Sequence, residues 1–222
     1  MLDFGYYNMD CMDGMKEFPD QYFDLAVVDP PYGINVDTNG RKKKRSKLAI
    51  ARDYKPFAGG DKEPPDEAYF RELFRVSKNQ IIFGANHFIS KIPYDSPCWI
   101  VWDKDNGATD FADCELAWTS FGKSVKKFKY TWNGMRQENM KHKEYRIHPT
   151  QKPVALYRWI LATFAKQGDR LLDTHVGSAS SLIAFDEAGY RFVGFEKDKY
   201  YYDLSNKRYR QEAAQMKLTD FL

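Results

Sequence analysis

Short apolar runs, each closed by polar or turn-forming residues, alternate along the chain with stretches whose apolar positions recur every three to four residues. Gly5 to Met9 reads as a strand ending at Asp10, Met12 to Phe18 as a short helix, and Phe23 to Val28 as a second strand. Strand, helix, strand is the rhythm of a parallel sheet. Helical spacing resumes at Asp66 to Val76, and Gln80 to Phe83, Cys98 to Trp102 and Leu116 to Phe121 read as further strands. Pro153 opens a helix through Val154, Leu156, Trp159, Ile160 and Phe164, with Gly168 just past its end. The last unit is a strand at Arg170 to Asp173, a turn at Gly177, a helix from Ser178 to Ala188 stopped by Gly189, and a strand at Arg191 to Phe195.

Two segments break this regularity. Gly33 to Pro65 is polar and contains Gly40, Gly59 and Gly60, and a loop of that length in a compact domain is functional or disordered more often than not. Lys126 to Trp132 alternates cations with aromatics, which an extended backbone would place on opposite faces. It suits a half-buried edge strand with a solvated lysine face, or a nucleic-acid surface.

At 222 residues the chain is long enough for one α/β domain with a buried sheet. Its net charge of +3 conceals an uneven distribution. Between Thr38 and Arg52 lie seven basic residues (Arg41, Lys42, Lys43, Lys44, Arg45, Lys47 and Arg52) and no acidic one. Ser120 to Arg146 holds eight basic residues against Glu138 and Glu144. These two segments carry +13 and leave the remaining body near −10, which suggests a polyanion bound at two places. Cys11, Cys98 and Cys114 show no C-x-x-C spacing, which favours core or near-core thiols in a reducing compartment without a structural zinc site. No stretch approaches the roughly 20 apolar residues of a membrane span, and no basic, then apolar leader precedes the first strand, so a soluble cytoplasmic protein is expected.

Asp29-Pro30-Pro31-Tyr32 closes the apolar run Leu25 to Val28, where a parallel sheet presents its carboxyl ends. An exocyclic base amine conjugated to its ring is a poor nucleophile, so transfer to it needs acceptors that draw on its N–H bonds. Asp29 offers a carboxylate and Pro30 a carbonyl, and consecutive prolines hold both in place. Tyr32 can stack on a flat base. An ordinary strand-ending turn would use the same residue types.

Leu171 to Ser180 reads as strand, small-residue turn and helix start, which lets a ligand approach the backbone and meet a helix N-terminus. Glu196 ends the next strand, where a carboxylate can accept both hydroxyls of a ribose. A lone Gly177 disfavours the nicotinamide pattern G-x-G-x-x-G, and the P-loop pattern is absent.

Taken in order, Asp29-Pro30-Pro31-Tyr32, His148-Pro149-Thr150-Gln151-Lys152-Pro153 and Asp173 to Ser181 resemble the amino-group DNA methyltransferases of the β class, in which the catalytic motif precedes the cofactor motif. The resemblance spans Asn8 to Arg208. It implies a Rossmann-like, S-adenosylmethionine-dependent methyltransferase fold: α/β, with a mostly parallel sheet and helices on both faces, in one domain over residues 1–222. A basic loop would lie at about 33–65 and a target-recognition segment at about 120–146.

Carried over residue by residue, the family implies that Asp173, His175, Gly177 and Ser178 line the methionine end of S-adenosyl-L-methionine and that Glu196 holds its ribose. Asp10 and Cys11 would lie near the adenine ring, with Asp29 at the transferring methyl. Thr150, Gln151 and Lys152 would close over the methionine carboxylate, for which a lysine is a natural partner. His148 would shape that loop rather than move a proton. Where the family pattern reads D-P-F-x-G-S-G, this chain has Asp173-Thr174-His175-Val176-Gly177-Ser178-Ala179. An alanine at a position needing positive φ costs about 1 kcal/mol or more, so an altered pocket with retained binding is expected.

The implied substrate is adenine N6 of a base flipped from double-stranded DNA, because Asp at the first motif position is seen mostly in adenine members. Arg41, Lys42, Lys43, Lys44, Arg45, Lys127 and Lys129 would grip phosphates. No metal is needed, and β-class relatives are often homodimers. Cytosine N4, an RNA base, a protein glutamine amide and a non-catalytic DNA-binding relative remain as alternatives. Pro97-Cys98 superficially resembles the nucleophile of cytosine-C5 enzymes, but it sits inside an apolar run and reads as core.

Overall fold

Leu25, Ala26, Val27 and Val28 are all buried and form β2 (Leu25–Val28), the strand around which the sheet is organised. A strand apolar on both faces needs cover on both. Leu25 and Val27 pack with Leu156, Ile160, Leu182 and Phe185, while Ala26 and Val28 pack with Met15, Phe70 and Leu73. The first face is covered by α3 (Val154–Phe164) and α4 (Ser180–Glu187), and the second by α1 (Cys11–Lys16) and α2 (Glu67–Val76). The computed structural model describes residues 1–34, 54–55, 61–107, 112–133 and 136–219.

The remaining strands are β1 (Gly5–Asn8), β3 (Gln80–Phe83), β4 (Trp99–Asp103), β5 (Cys114–Thr119), β6 (Lys126–Lys129), β9 (Arg170–Asp173) and β10 (Arg191–Glu196). They form an eight-stranded sheet in the order β1-β10-β9-β2-β3-β5-β4-β6. Within this sheet, among the described residues, β5 alone runs antiparallel to its neighbours. A two-stranded ribbon pairs β7 (Trp132–Asn133) with β8 (Arg136–Gln137), and a last helix, α5 (Lys199–Thr219), follows β10. From β9 the chain moves through α4 to β10 on one side, and from β2 it reaches β3 on the other. The crevice outside the carboxyl ends of β9 and β2 is therefore a topological switch point, where open α/β sheets bind ligands.

The expected elements exist, with shifted ends. β2 starts at Leu25 rather than Phe23, which makes only an isolated bridge to Ser77. β4 and β5 sit one residue later and two residues earlier than expected, because their antiparallel register pairs Trp99 with Trp118 and Asp103 with Cys114. The helix expected from Ser178 begins at Ser180, since Ala179 is left-handed at φ 64°. Polar and aromatic residues alternate without a clean apolar stripe over Lys199–Thr219, so α5 was not legible in the pattern. Cys98 is buried and Cys11 half-buried, as core or near-core thiols should be, but Cys114 is exposed at the polar start of β5, which corrects that expectation for the third cysteine.

Candidate active site at the carboxyl edge of the sheet

Asp29 follows directly on β2, and Asp173 is the last residue of β9. Because β1, β10, β9 and β2 are parallel, Asn8, Glu196, Asp173 and Asp29 all emerge on one edge. The sequence-separated motifs thus meet at the switch point.

On the β2 side, the Asp29 carboxylate is held by two groups. Tyr32 donates its hydroxyl to Oδ1 at 2.7 Å, and the Lys152 ammonium lies 2.5 Å from Oδ2. Lys152 also donates to the Tyr32 hydroxyl at 3.0 Å and pairs with Glu115 at 3.2 Å. Glu115 is bound in turn by Lys104. Burial pushes the Asp29 carboxyl above its usual range despite Lys152. Burial would also raise Glu115, but Lys152 and Lys104 together hold it down at about 2. The two carboxylates differ because Glu115 has two cations and Asp29 one shared cation. Burial, with Asp29 and Glu115 nearby, raises the Tyr32 phenol, so it stays protonated and acts as a donor.

The ring of Tyr32 stacks on His87 with centroids 5.2 Å apart and planes within 17°. A Cβ at Gly84 (φ +68°) would run into that ring, so only glycine lets it lie against the end of β3. The backbone after Pro31 is fixed by Asp61, which accepts from the N–H of Tyr32 at 2.6 Å and of Gly33 at 2.9 Å.

On the β9 side, Asp173 accepts the His175 backbone N–H at 3.0 Å and the Ser181 hydroxyl at 2.5 Å. Burial raises it to about 7. Gly177 (φ 56°) and Ala179 (φ 64°) both adopt left-handed backbone, so the expected strain at the alanine is present. Glu196 accepts from Gly177 N–H at 2.9 Å and Asp198 N–H at 2.8 Å, one bond to each oxygen. Each oxygen keeps a lone pair for a further donor. His175 bonds Thr174 at 2.9 Å and meets the Tyr69 ring edge-on at 5.5 Å. Asp10 caps α1 and pairs with Lys197 at 2.8 Å, while burial raises the Cys11 thiol to about 12. The Ser178 backbone is tied down by Arg208, which donates to its carbonyl at 2.7 Å and to Ser180 at 2.9 Å while pairing with Glu144 at 2.8 Å.

The His148 to Pro153 segment leads directly into α3. Gln151 uses its side chain within its own turn, accepting from Ile147 N–H at 2.8 Å and donating to the Tyr145 carbonyl at 3.3 Å. Thr150 is exposed and bonds His148 at 3.0 Å. Lys152 points its ammonium at Asp29 and Glu115. His148 is buried and held neutral to about pH 3 by that burial and by Lys152, as suits a residue that shapes the loop.

Lys127 and Lys129 are well exposed on β6 and pair with Asp103 at 2.8 Å and Asp105 at 3.0 Å, while Phe128 and Tyr130 pack inward. Arg41, Lys42, Lys43, Lys44 and Arg45 lie outside the described residues. Sequence reasoning missed Asp61, Glu115, His87 and Arg208. None sits in a motif, and only the fold brings each to the site.

A family model described as DNA methylase matches residues 101–207. The type II methyltransferase M.HinfI of Haemophilus influenzae is 24% identical over 249 residues, covering 91% of this chain and 67% of that protein. Among solved structures, the M1.HpyAVI–SAM complex superposes with a TM-score of 0.56 at 22% identity, covering 91% of this chain and 98% of that one. The PvuII DNA methyltransferase, cytosine-N4-specific, gives 0.58 at 10% identity, covering 97% and 93%. The fold is that of the S-adenosylmethionine-dependent methyltransferases. Over residues 101–207 the chain is similar to the N6/N4 DNA methylases, and its curated relatives are type II DNA methyltransferases, consistent with the order of its motifs.

Proposed function

We propose that this chain transfers a methyl group from S-adenosyl-L-methionine to the N6 amine of an adenine flipped out of double-stranded DNA. One observation carries the reading: Asp29 and Pro30 directly follow β2 at the carboxyl edge of the sheet, next to β9 and the Asp173 to Ala179 turn that follows it.

The residues present fit the cofactor. Glu196 has acceptor capacity for ribose hydroxyls at the end of β10. Gly177 takes left-handed backbone in the turn after β9. Asp173 and Asp10 add carboxylates that suit the ligand's positive groups. When bound, the cofactor supplies an electrophilic sulfonium methyl.

The protein's own groups do the rest. Asp29 and the Pro30 carbonyl accept the two N–H bonds of the base, and these bonds strengthen as the nitrogen turns tetrahedral and gains positive charge. Tyr32, backed by His87, supports the base plane. The surplus proton leaves through Asp29 or to water. The basic run Arg41 to Arg45 and the exposed Lys127 and Lys129 would contact phosphates, and the 120–146 segment would contribute to recognition. The other catalytic reading, cytosine N4, is favoured by the likeness to the PvuII enzyme, whereas Asp29 at the first motif position favours adenine.

The test is transfer of labelled methyl from S-adenosylmethionine to mixed-sequence duplex DNA, then digestion and mass identification of the nucleoside. N6-methyladenine supports the reading, and N4-methylcytosine replaces the base while keeping the mechanism. With no transfer to DNA spanning all short recognition sequences, the reading fails.

A further inference from the structure

Four charged side chains from four parts of the chain form one row that ends at the candidate catalytic carboxylate. Lys104, just beyond β4, binds Glu115 of β5; Glu115 meets Lys152 at 3.2 Å; and Lys152 meets Asp29 at 2.5 Å. The row alternates in sign and is neutral overall. It is also enclosed: Lys152 is 4% exposed, Asp29 15% and Glu115 22%. Buried charge is costly unless paired, and a lone Lys152–Asp29 couple would already be neutral. A second carboxylate on the same ammonium is therefore more than charge balance requires.

We infer that Glu115 is a positioning residue for methyl transfer: it takes a share of the Lys152 ammonium, so that Asp29 is oriented by the lysine without being fully neutralised by it. The inference rests on the amine-methylation reading, in which Asp29 must accept an N–H bond that strengthens in the transition state. A carboxylate in full contact with one ammonium is a weakened acceptor, because the cation draws on the same oxygen lone pairs. Dividing the ammonium between two carboxylates leaves Asp29 more basic. The raised carboxyl of Asp29 and the lowered one of Glu115 agree with that division. Tyr32 completes the arrangement, with its hydroxyl 2.7 Å from Asp29 and 3.4 Å from Glu115. The other titratable groups acting on Asp29 are Asp173 at the end of β9, Tyr69 of α2 and Tyr157 of α3. None of these brings a cation, so Lys152 is the one positive group acting on Asp29 that these contacts identify.

Glu115→Gln keeps the shape and removes the charge. Lys152 should then settle on Asp29 alone. The expected result is a fall in kcat of at least roughly tenfold with cofactor affinity by calorimetry unchanged. The acidic limb of the kcat–pH profile should move down by about one unit, because Asp29 has lost a neighbouring negative charge. Lys152→Gln should move the same limb up. Carbon NMR titration of the labelled Asp29 carboxyl, assigned by its loss in Asp29→Asn, reads the same two shifts without any turnover. Lys104→Gln, at the outer end of the row, is the milder variant should Glu115→Gln fold poorly, and it should raise the Asp29 titration. Unchanged kcat and an unmoved Asp29 titration in Glu115→Gln would overturn the inference. A wild-type protein that methylates no DNA would sink the functional reading instead, while the NMR titration would still decide whether Glu115 acts on Asp29.

Discussion

The backbone N–H of Tyr32 donates to the Asp61 carboxylate at 2.6 Å, across 29 residues of sequence. The next two N–H groups, of Gly33 and Ile34, point to the same carboxylate at 2.9 and 3.3 Å. Successive backbone donors converging on one anion form a concavity that fixes the chain's direction. It aims Tyr32 back toward Asp29. Asp61→Ala leaves three donors without their acceptor and should cost about 1–3 kcal/mol. Thermal unfolding should show that loss, and hydrogen exchange should quicken at Tyr32, Gly33 and Ile34. Transfer should fall while cofactor affinity holds, because the crevice wall at Asp173 is untouched.

Asp29→Ala removes the acceptor itself. Transfer should drop by at least about a hundredfold, the scale of losing one transition-state hydrogen bond. Cofactor binding should remain measurable by calorimetry. Full activity in this variant would remove the carboxylate from the mechanism.

The triple change of Lys42, Lys43 and Lys44 to Ala tests the basic run directly. If those lysines contact phosphates, DNA affinity should fall and the slope of log affinity against log salt should flatten by up to about 3, near one unit per lost contact. An unaltered slope assigns the run to solvent.

Ala179 carries a Cβ at φ 64° and is fully buried. Left-handed backbone costs an alanine about 1–2 kcal/mol, while glycine there would lose a buried methyl worth about 0.8 kcal/mol and some chain entropy. Ala179→Gly should therefore lie within about 1 kcal/mol of the wild type. Ala179→Val should be worse by more than about 2 kcal/mol, since a β-branched residue tolerates that backbone poorly and has no room. Urea unfolding of the pair measures both, and cofactor affinity should follow the same order.

Acid should weaken the fold through its buried imidazoles. Burial holds His175 down to about 4, with Asp10 opposing, against about 6.5 for an unfolded histidine. A folded value below the unfolded one means that the contribution is present above about pH 6.5 and is lost as pH falls toward 4. His148, held to about 3, continues the loss. Asp173, raised to about 7 by burial, acts with the opposite sign and favours the folded state as it protonates. His175→Phe removes one histidine and leaves Asp173 in both proteins. Between pH 7 and pH 4.5 the wild type should lose more stability than the variant, by at most about 1.4 kcal/mol per pH unit. Chemical denaturation at the two pH values decides it, and an equal loss would mean that His175 charges freely in the folded state.

The sequence by itself determined the alternation of strands and helices, the two motifs at strand ends and their order. Each is a local signal: four apolar residues before Asp29, Leu171-Leu172 before Asp173, a proline before α3, a small-residue turn after β9. It also foretold strain at Ala179, because one motif position demands one backbone conformation. It could not place Lys152. A lysine beside a threonine and a glutamine carries no mark of whether it faces a ligand carboxylate or a protein one, and that choice was made when α3 packed against the sheet and brought the segment before it to the end of β2. Glu115, Asp61 and Arg208 were equally silent, since their contacts at the site span 27 to 83 residues of chain. Only tertiary structure closes such distances. The register of β5 against β3 and the docking of α5 on α4 are decided by the burial of whole faces rather than by any short pattern.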